Sequence, residues 1–320
     1  MKKPLIITAV ALLAVGLTLF TCAFAAAGFD LSKLSTEKYV TATYTLTDHQ
    51  PFRRIHIRST ESDIEFKPSA DGRFSVVCIE REKVTHEVSV DSGILNITDH
   101  DERAWYDHLT FSTKSLSMTV YLPEKTYDAL SIDAGTGDVT IPADFIFGSL
   151  SIDLSTGDIN CAAEVTDSVK INTSTGDVDY SAAASGSLKI ETNTGDILLD
   201  GVIADSVDLS ASTGDVSLKD AETILGMAIE TSTGNVTLKN TVACGILTVD
   251  TSTGDVRFEN SDAASITVST STGDVTGTLR TPKVFYTDTS TGDVRLPDVR
   301  MGGKCEITTS TGDIEIAIAE

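Results

Sequence analysis

The second half of this chain has no histidine. All five (His49, His56, His86, His100 and His108) fall before residue 110, and lysine and arginine are few and scattered beyond that point. This absence excludes a Ser/His/Asp nucleophile set and a His-ligated zinc site from residues 130–320. It also leaves no convergent base and cationic stabiliser, which a polysaccharide lyase on a β-helix needs on one face. No phosphate-binding glycine loop is present either, so the expectation is a protein that is not an enzyme. Basic residues are scarce overall, with 24 Lys+Arg against 47 Asp+Glu. Such a field repels nucleic acid and anionic lipid head groups and favours cations and basic partners. The lone tryptophan, Trp105, sits in an acidic segment with Asp99, His100, Asp101, Glu102, Asp107 and His108. That segment reads as a solvated loop, with metal ligation by imidazole and carboxylate as the competing reading.

Charge is also missing from Pro4 to Phe29, after Lys2 and Lys3. About 20 apolar residues span a bilayer, so residues 4–27 are long enough for a membrane helix. A cleaved signal peptide ending at Ala23-Phe24-Ala25 and a lipoprotein cysteine at Cys22 are the alternatives. All three export the chain. The positive-inside rule leaves the two lysines in the cytoplasm and the rest outside, as a single-pass protein with an extracellular C-terminal domain. Without those lysines, 22 basic residues face 47 acidic ones, a net −25 outside.

What the chain has in abundance is one tetrapeptide. Thr-Gly-Asp-(Val/Ile), in which Asn replaces Asp once, recurs every 19 or 20 residues. Its glycines are Gly137, Gly157, Gly176, Gly195, Gly214, Gly234, Gly254, Gly273, Gly292 and Gly312. A short fixed period means a quasi-one-dimensional stack. Seven residues before the glycine stand Leu130, Leu150, Val169, Leu188, Val207, Met227, Leu247, Ile266, Phe285 and Cys305, all apolar. Five before it, only Thr287 departs from Ile, Leu or Val, and two after it every residue from Val139 to Ile314 is Val or Ile. Four after it, Ile141, Leu199, Phe258 and Ile316 continue the pattern, with Gly277 the outlier. Alternation of period two is a strand with one buried face. Each unit therefore reads as strand, tight turn at Thr-Gly-Asp, second strand and a looser loop, with the glycines as structural turn residues.

One unit cannot bury its face alone, and stacking pairs each strand with its copies above and below. The fold class expected is all-β: a single-stranded parallel β-solenoid of ten regular coils, roughly 45–50 Å long at ~4.8 Å per coil. A propeller blade needs about 40–50 residues, and the leucine-rich L-x-x-L-x-L pattern is absent. The organisation expected is an anchor or signal segment over 1–29, a stalk over 30–51, degenerate coils over 52–129 and the regular solenoid over 130–320. Within the degenerate part, Ile55–Phe66 matches the repeat with Glu61 and Ser62 at the Thr-Gly positions. Val88–Val90 and Ile94–Ile97 read as a hairpin, and Leu116–Leu122 as a strand. Nothing resembling a cap follows the last strand, so the C-terminus is expected to leave an open edge. Cys161 and Cys244 lie four coils apart, roughly 19 Å, too far for a disulfide, which needs Cα atoms within about 7 Å. Cys161 and Cys305 read as buried free thiols.

Two features could bind. The aspartates Asp138, Asp158, Asp177, Asp196, Asp215, Asp255, Asp274, Asp293 and Asp313, with Asn235 in their line, form a column. A second acidic column (Asp133, Asp153, Glu191, Glu230, Asp250, Asp288) lies four residues before the glycines. Carboxylates at ladder spacing repel by about 0.9 kcal/mol per neighbour in water. They either cap their own turns or hold a cation such as calcium, the one cofactor considered. Thr-x-Thr pairs such as Thr231 and Thr233 would suit ice binding if outward. Their register with the apolar positions instead predicts hydroxyls bonded along an internal ladder.

The Thr-Ser-Thr-Gly-Asp-Val repeats, the N-terminal segment running into Gly28-Phe29-Asp30-Leu31-Ser32-Lys33-Leu34-Ser35, and the ending Gly302-Gly303-Lys304-Cys305-Glu306-Ile307-Thr308 resemble the bacterial toastrack family, also called the "putative adhesin" family. The resemblance covers nearly the whole chain. It implies a membrane-anchored β-solenoid on the outer face of a bacterial cell, with no catalytic motif. Two roles follow as expectations. One is a surface interaction module for a cell-wall or host-surface polymer, and the other a sensing or scaffold module for membrane signalling proteins in envelope stress.

Overall fold

The computed structural model describes residues 2–26, 28–29, 38–46, 51–103, 115–184 and 186–319; the side chains of residues 2–7, 9 and 10 are outside that description. Trp105, Asp107 and His108 of the acidic loop, His49 and most of the 30–51 segment also lie outside the described residues.

The fold is all-β, about 69% strand, wound as a β-solenoid of about nine turns. One rung shows why the sequence winds this way. Around Gly214, Val207, Leu209 and Ala211 before the corner and Val216 and Leu218 after it all point inward and are buried. Val207 pairs in parallel register with Leu188 on one side and Met227 on the other. Val216 likewise pairs with Ile197 and Val236. A third, shorter ladder pairs Ile203 and Ala204 with Glu222 and Thr223, and a register shift separates it from the main strand. Burying each such aliphatic side chain contributes about 1.5–3 kcal/mol, repeated at every rung.

The corner fixes the stacking distance. Gly214 has φ +147°, and a Cβ there would lie 1.9 Å from the carbonyl oxygen of Gly195 in the coil below. Its neighbours repeat this geometry, and every repeat glycine but Gly292, on the terminal rung, donates its N–H to a threonine carbonyl of the adjoining coil, as Gly195 does to Thr213 at 2.9 Å. The glycine corners therefore line up along one edge, as the repeat predicts. The alternation breaks just before that corner. Thr231 is 1% exposed, with its hydroxyl donating to the Gly214 carbonyl at 3.2 Å, whereas Thr233 is exposed. Thr192, Thr251, Thr270 and Thr309 repeat the buried contact. The internal-ladder expectation thus holds for the first threonine of these pairs, with a glycine carbonyl as partner, whereas buried Thr173 donates to the Thr175 carbonyl at 3.3 Å. It fails for the second, which the bend turns outward.

Both ends depart from sequence order. At the N-terminal end the strands are β1 (Tyr39–Thr45), β2 (Arg54–Pro68), β3 (Ser75–Arg81), β4 (Val84–Asp91), β5 (Ile94–Asp101), β6 (Leu116–Leu122), β7 (Thr126–Thr136) and β8 (Val139–Ile141). The coil made by β2 is inserted between later strands. Its first half lies between β5 and β7, its second between β6 and β8. Antiparallel strands finish the end, β4 on β5 and β3 on β6, with β1 outermost on β3. The hairpin expected at 88–97 is present. Tyr39–Thr45, read from sequence as stalk, is instead a strand of this cap.

The C-terminal end carries the mirror arrangement. The coil of Gly312 (303–318) lies between the coil of Gly273 and the coil of Gly292, with Ile266 and Phe285 both paired to Cys305. The expected open edge at the C-terminus is therefore wrong. The last coil is interior, and residues 283–295 form the terminal rung. Among the described residues that rung has no neighbour above it, and Val294 is 44% exposed. The rung carries Thr287 where every other repeat has an inward Ile, Leu or Val, whereas coil 303–318 offers Cys305, Ile307, Ile314 and Ile316, all buried. The more apolar rung takes the interior place. Lys283 runs past side-chain-free Gly303 to a buried ion pair with Asp262 at 2.5 Å, tying the outer coils across the inserted one.

Helix α1 runs Lys2–Ala26. Among the described residues no helix is long and apolar enough to cross a membrane. The transmembrane expectation for residues 4–27 is therefore not established by the described residues. All five cysteines are free. Cys78, Cys161 and Cys305 are buried, while Cys22 and Cys244 are exposed.

Two outcomes follow. Gly214→Ala faces both the φ and the carbonyl contact and is expected to cost at least about 3 kcal/mol. Gly72→Ala, with open space around it, is expected to cost only about 1 kcal/mol; urea melts of the two variants compare them. Burial pushes the thiols of Cys161 and Cys305 up to about 12, and burial with the Glu80 charge does the same for Cys78. A thiol reagent at pH 8 should label Cys244 and spare Cys78, Cys161 and Cys305 in the native protein, and reach all four after denaturation, as read by peptide mass.

Candidate functional site

The predicted aspartate column assembles as one line along the glycine edge, and its bonding differs from either expectation. Each Oδ1 accepts the backbone N–H of the corresponding residue in the next coil. Asp138 accepts from Asp158 at 2.9 Å, Asp158 from Asp177 at 2.9 Å, Asp177 from Asp196 at 2.8 Å and Asp196 from Asp215 at 2.7 Å. The line begins one coil earlier, where Asp63 accepts from Asp138 at 3.1 Å. At the far end it follows the inserted order, Asp255 to Asp274 to Asp313 to Asp293. The carboxylates therefore cap their neighbours' turns, not their own. Asn235 both gives its N–H to Asp215 and accepts from Asp255 at 3.0 Å. An oxygen is required at each place and a charge is not.

Two shallow grooves flank this edge. One, of about 490 Å³, runs beside Asp158, Asp177, Asp196 and Asp215, with Asp179 and Leu198 on its floor. The other, of about 370 Å³, is lined by Asp133, Asp153, Glu191 and Asn193. Neither has a lysine or arginine in its lining. The second acidic column is less continuous than the first. Asn172, which donates to Asp153 at 2.6 Å, interrupts it. Arg58 approaches Asp133 at 3.6 Å and Lys189 pairs with Glu191 at 2.9 Å.

Three arrangements were not read from the sequence. A second corner is built at Gly201, Asp220, Asn240 and Asn260, all at φ between +51° and +69°. There Asn240 donates to Asp220 and Asn260 to Asn240, each at 2.9 Å. The 20-residue spacing of Asp220, Asn240 and Asn260 was the available signal. Glu61, on the inserted β2 coil, meets Arg81 at 2.8 Å and Arg103 at 3.0 Å. Burial alone would raise the Glu61 carboxyl pKa, but the two guanidinium groups outweigh it and hold it below its usual value. Finally, Cys78, Glu80 and His86 converge inside the cap, far enough apart in sequence and without motif spacing to escape notice. Of the described part of the acidic loop, His100 is exposed and 3.4 Å from Glu102, and Asp99 accepts the Thr60 N–H at 2.6 Å.

The column separates its two roles by substitution. Asp196→Asn keeps the acceptor and removes repulsion, so stability should hold or rise slightly. Asp196→Ala leaves the Asp215 N–H without its acceptor and should cost about 1 kcal/mol, the scale of a lost N-cap. Thermal melts at matched ionic strength measure both.

A comparison with curated proteins gives no match. Among solved structures, the chain is similar to a "putative adhesin" from Bacteroides fragilis (15% identity, 88% of this chain and 97% of that one, TM-score 0.40). It is also similar to a "putative adhesin" from Parabacteroides distasonis (9% identity, 88% and 98%, TM-score 0.48). A third similar chain, a "putative lipid binding protein" from the same species, has 13% identity, 88% and 98% coverage and a TM-score of 0.43. The family pattern described as Toastrack DUF4097 matches residues 52–224 and 204–320, which is nearly all of the solenoid and its N-terminal cap. The chain belongs to the toastrack family.

Proposed function

We propose that this protein is a non-enzymatic surface interaction module whose acidic edge binds a repetitive, basic polymer of a cell wall or host surface. Residues 4–27 hold it at the outer face of the membrane in this reading, with Lys2 and Lys3 inside. The observation that carries the proposal is the aspartate column. One oxygen of each carboxylate is committed to the neighbouring turn, which fixes the side chain. Charge is thereby displayed at the ladder repeat along open grooves, a preorganised surface for weak, equal contacts. Linked weak contacts multiply, so avidity exceeds any single one by 10²–10⁴-fold.

The test uses residues 38–320 against purified cell walls and basic surface polymers. The variant Asp158→Asn/Asp177→Asn/Asp196→Asn/Asp215→Asn keeps every acceptor of the ladder and removes four charges. Binding of the parent protein, weakened at least 10-fold in the variant, is the expected result. Equal binding by both removes the acidic edge from the reading. If the parent protein binds no polymer and co-purifies only with membrane signalling proteins, the scaffold role takes its place. In the same series, a rise in Tm with millimolar calcium, seen for the parent and absent in the variant, identifies the column as a cation site.

A further inference from the structure

We propose that Cys78, Glu80 and His86 form a site for one divalent transition-metal ion of the zinc class, inside the N-terminal cap. A sulfur, a carboxylate oxygen and an imidazole nitrogen lie within 4.8 Å of one another there, and all three residues are buried. The topology explains the convergence. Cys78 and Glu80 stand two apart on β3, so both face the interior. The β3–β4 hairpin pairs only at Arg81 with Val84. Beyond that point β3 joins β6 in one wall and β4 joins β5 in the other. His86, on β4, faces the other two across this fork.

The protein's own hydrogen bonds account for part of the cluster only. Glu80 Oε1 accepts from the Tyr44 hydroxyl at 2.6 Å and the His86 N–H at 2.9 Å, and lies 2.8 Å from His86 Nδ1. The second ring nitrogen, Nε2, is buried with no hydrogen-bond partner among the described residues. An orphaned buried nitrogen costs about 1–3 kcal/mol, and a Glu–His pair alone leaves that cost in place.

The donor set selects the ion. Thiolate and imidazole with one carboxylate suit Zn²⁺ above Mg²⁺ or Ca²⁺, which take oxygen ligands. A thiolate and a carboxylate neutralise a 2+ ion with the imidazole uncharged, so the filled site buries no net charge. Tetrahedral bonds of 2.0–2.3 Å place ligand atoms roughly 3.3–3.8 Å apart, so on filling the wider separations, up to 4.8 Å, close while the 2.8 Å Glu80–His86 contact opens. A water or the Tyr44 hydroxyl completes the shell. Coordination converts Cys78–SH and M²⁺ into a sulfur–metal bond, and the thiol proton leaves to solvent. The bound ion closes the fork and staples the two walls at the capped end.

The test is refolding of the full chain in detergent with Co²⁺, followed by removal of unbound metal. About one equivalent of cobalt should remain, with a thiolate-to-cobalt charge-transfer band that Zn²⁺ abolishes. The band should persist in Cys244→Ser, vanish in Cys78→Ser, and shift in His86→Gln with at least a 10-fold weaker affinity. Failure of the wild-type chain to retain cobalt or zinc overturns the proposal without reference to any variant. A band that survives in folded Cys78→Ser overturns it as well.

Discussion

The contact between successive glycine corners sets the geometry on which the rest of the molecule depends. A Cβ at Gly176, Gly214 or Gly254 would meet the preceding glycine's carbonyl oxygen at 1.9 Å. From Gly157 on, each repeat corner can therefore stack on the one before it at ladder distance only as glycine, while the β2 coil has Ser62 at that place next to Gly137. Once they stack, the strands on either side are forced into register. A parallel ladder then pairs identical positions, so Val sits over Leu and Thr over Thr. The apolar column inside, the threonine hydroxyls on glycine carbonyls and the aspartate line outside all follow from that alignment.

The same alignment brings like charges together, and the fold uses the conflict. A line of carboxylates at this spacing repels itself, yet each supplies the acceptor that the neighbouring turn's N–H requires. A charge-assisted hydrogen bond is the stronger of the two effects at short range, while salt weakens the repulsion. Asn235 shows the balance, since it keeps the oxygen and drops the charge in the middle of the line. The outcome is an acidic edge whose side chains are each fixed by a bond to the next coil.

Much of this was legible in the chain itself. The inward columns, the aligned glycines, the hairpin at 88–97 and the free buried thiols at Cys161 and Cys305 all stand where the period placed them. The strand at Tyr39–Thr45 was not legible, because its partner β3 comes after an intervening coil and neither carries the repeat. Nor was the target of the aspartate oxygens. An Asp beside a turn glycine reads equally well as a cap on its own turn, and only the stacking distance brings the next coil's N–H closer. The Cys78, Glu80 and His86 cluster depends on a hairpin that splits between two walls, which no spacing records.

A 19- or 20-residue period with apolar residues at fixed offsets from a glycine determined the rung, its buried face and its parallel stacking. Local sterics and burial dictate those within one unit. The order of the rungs was decided by tertiary structure alone. Ladder bonding between near-identical coils is almost indifferent to which coil comes next, so order falls to smaller differences. Thr287 is tolerable on a terminal rung, Ile307 and Ile316 gain more inside, and the Lys283–Asp262 pair closes over Gly303 only when coil 303–318 lies between them.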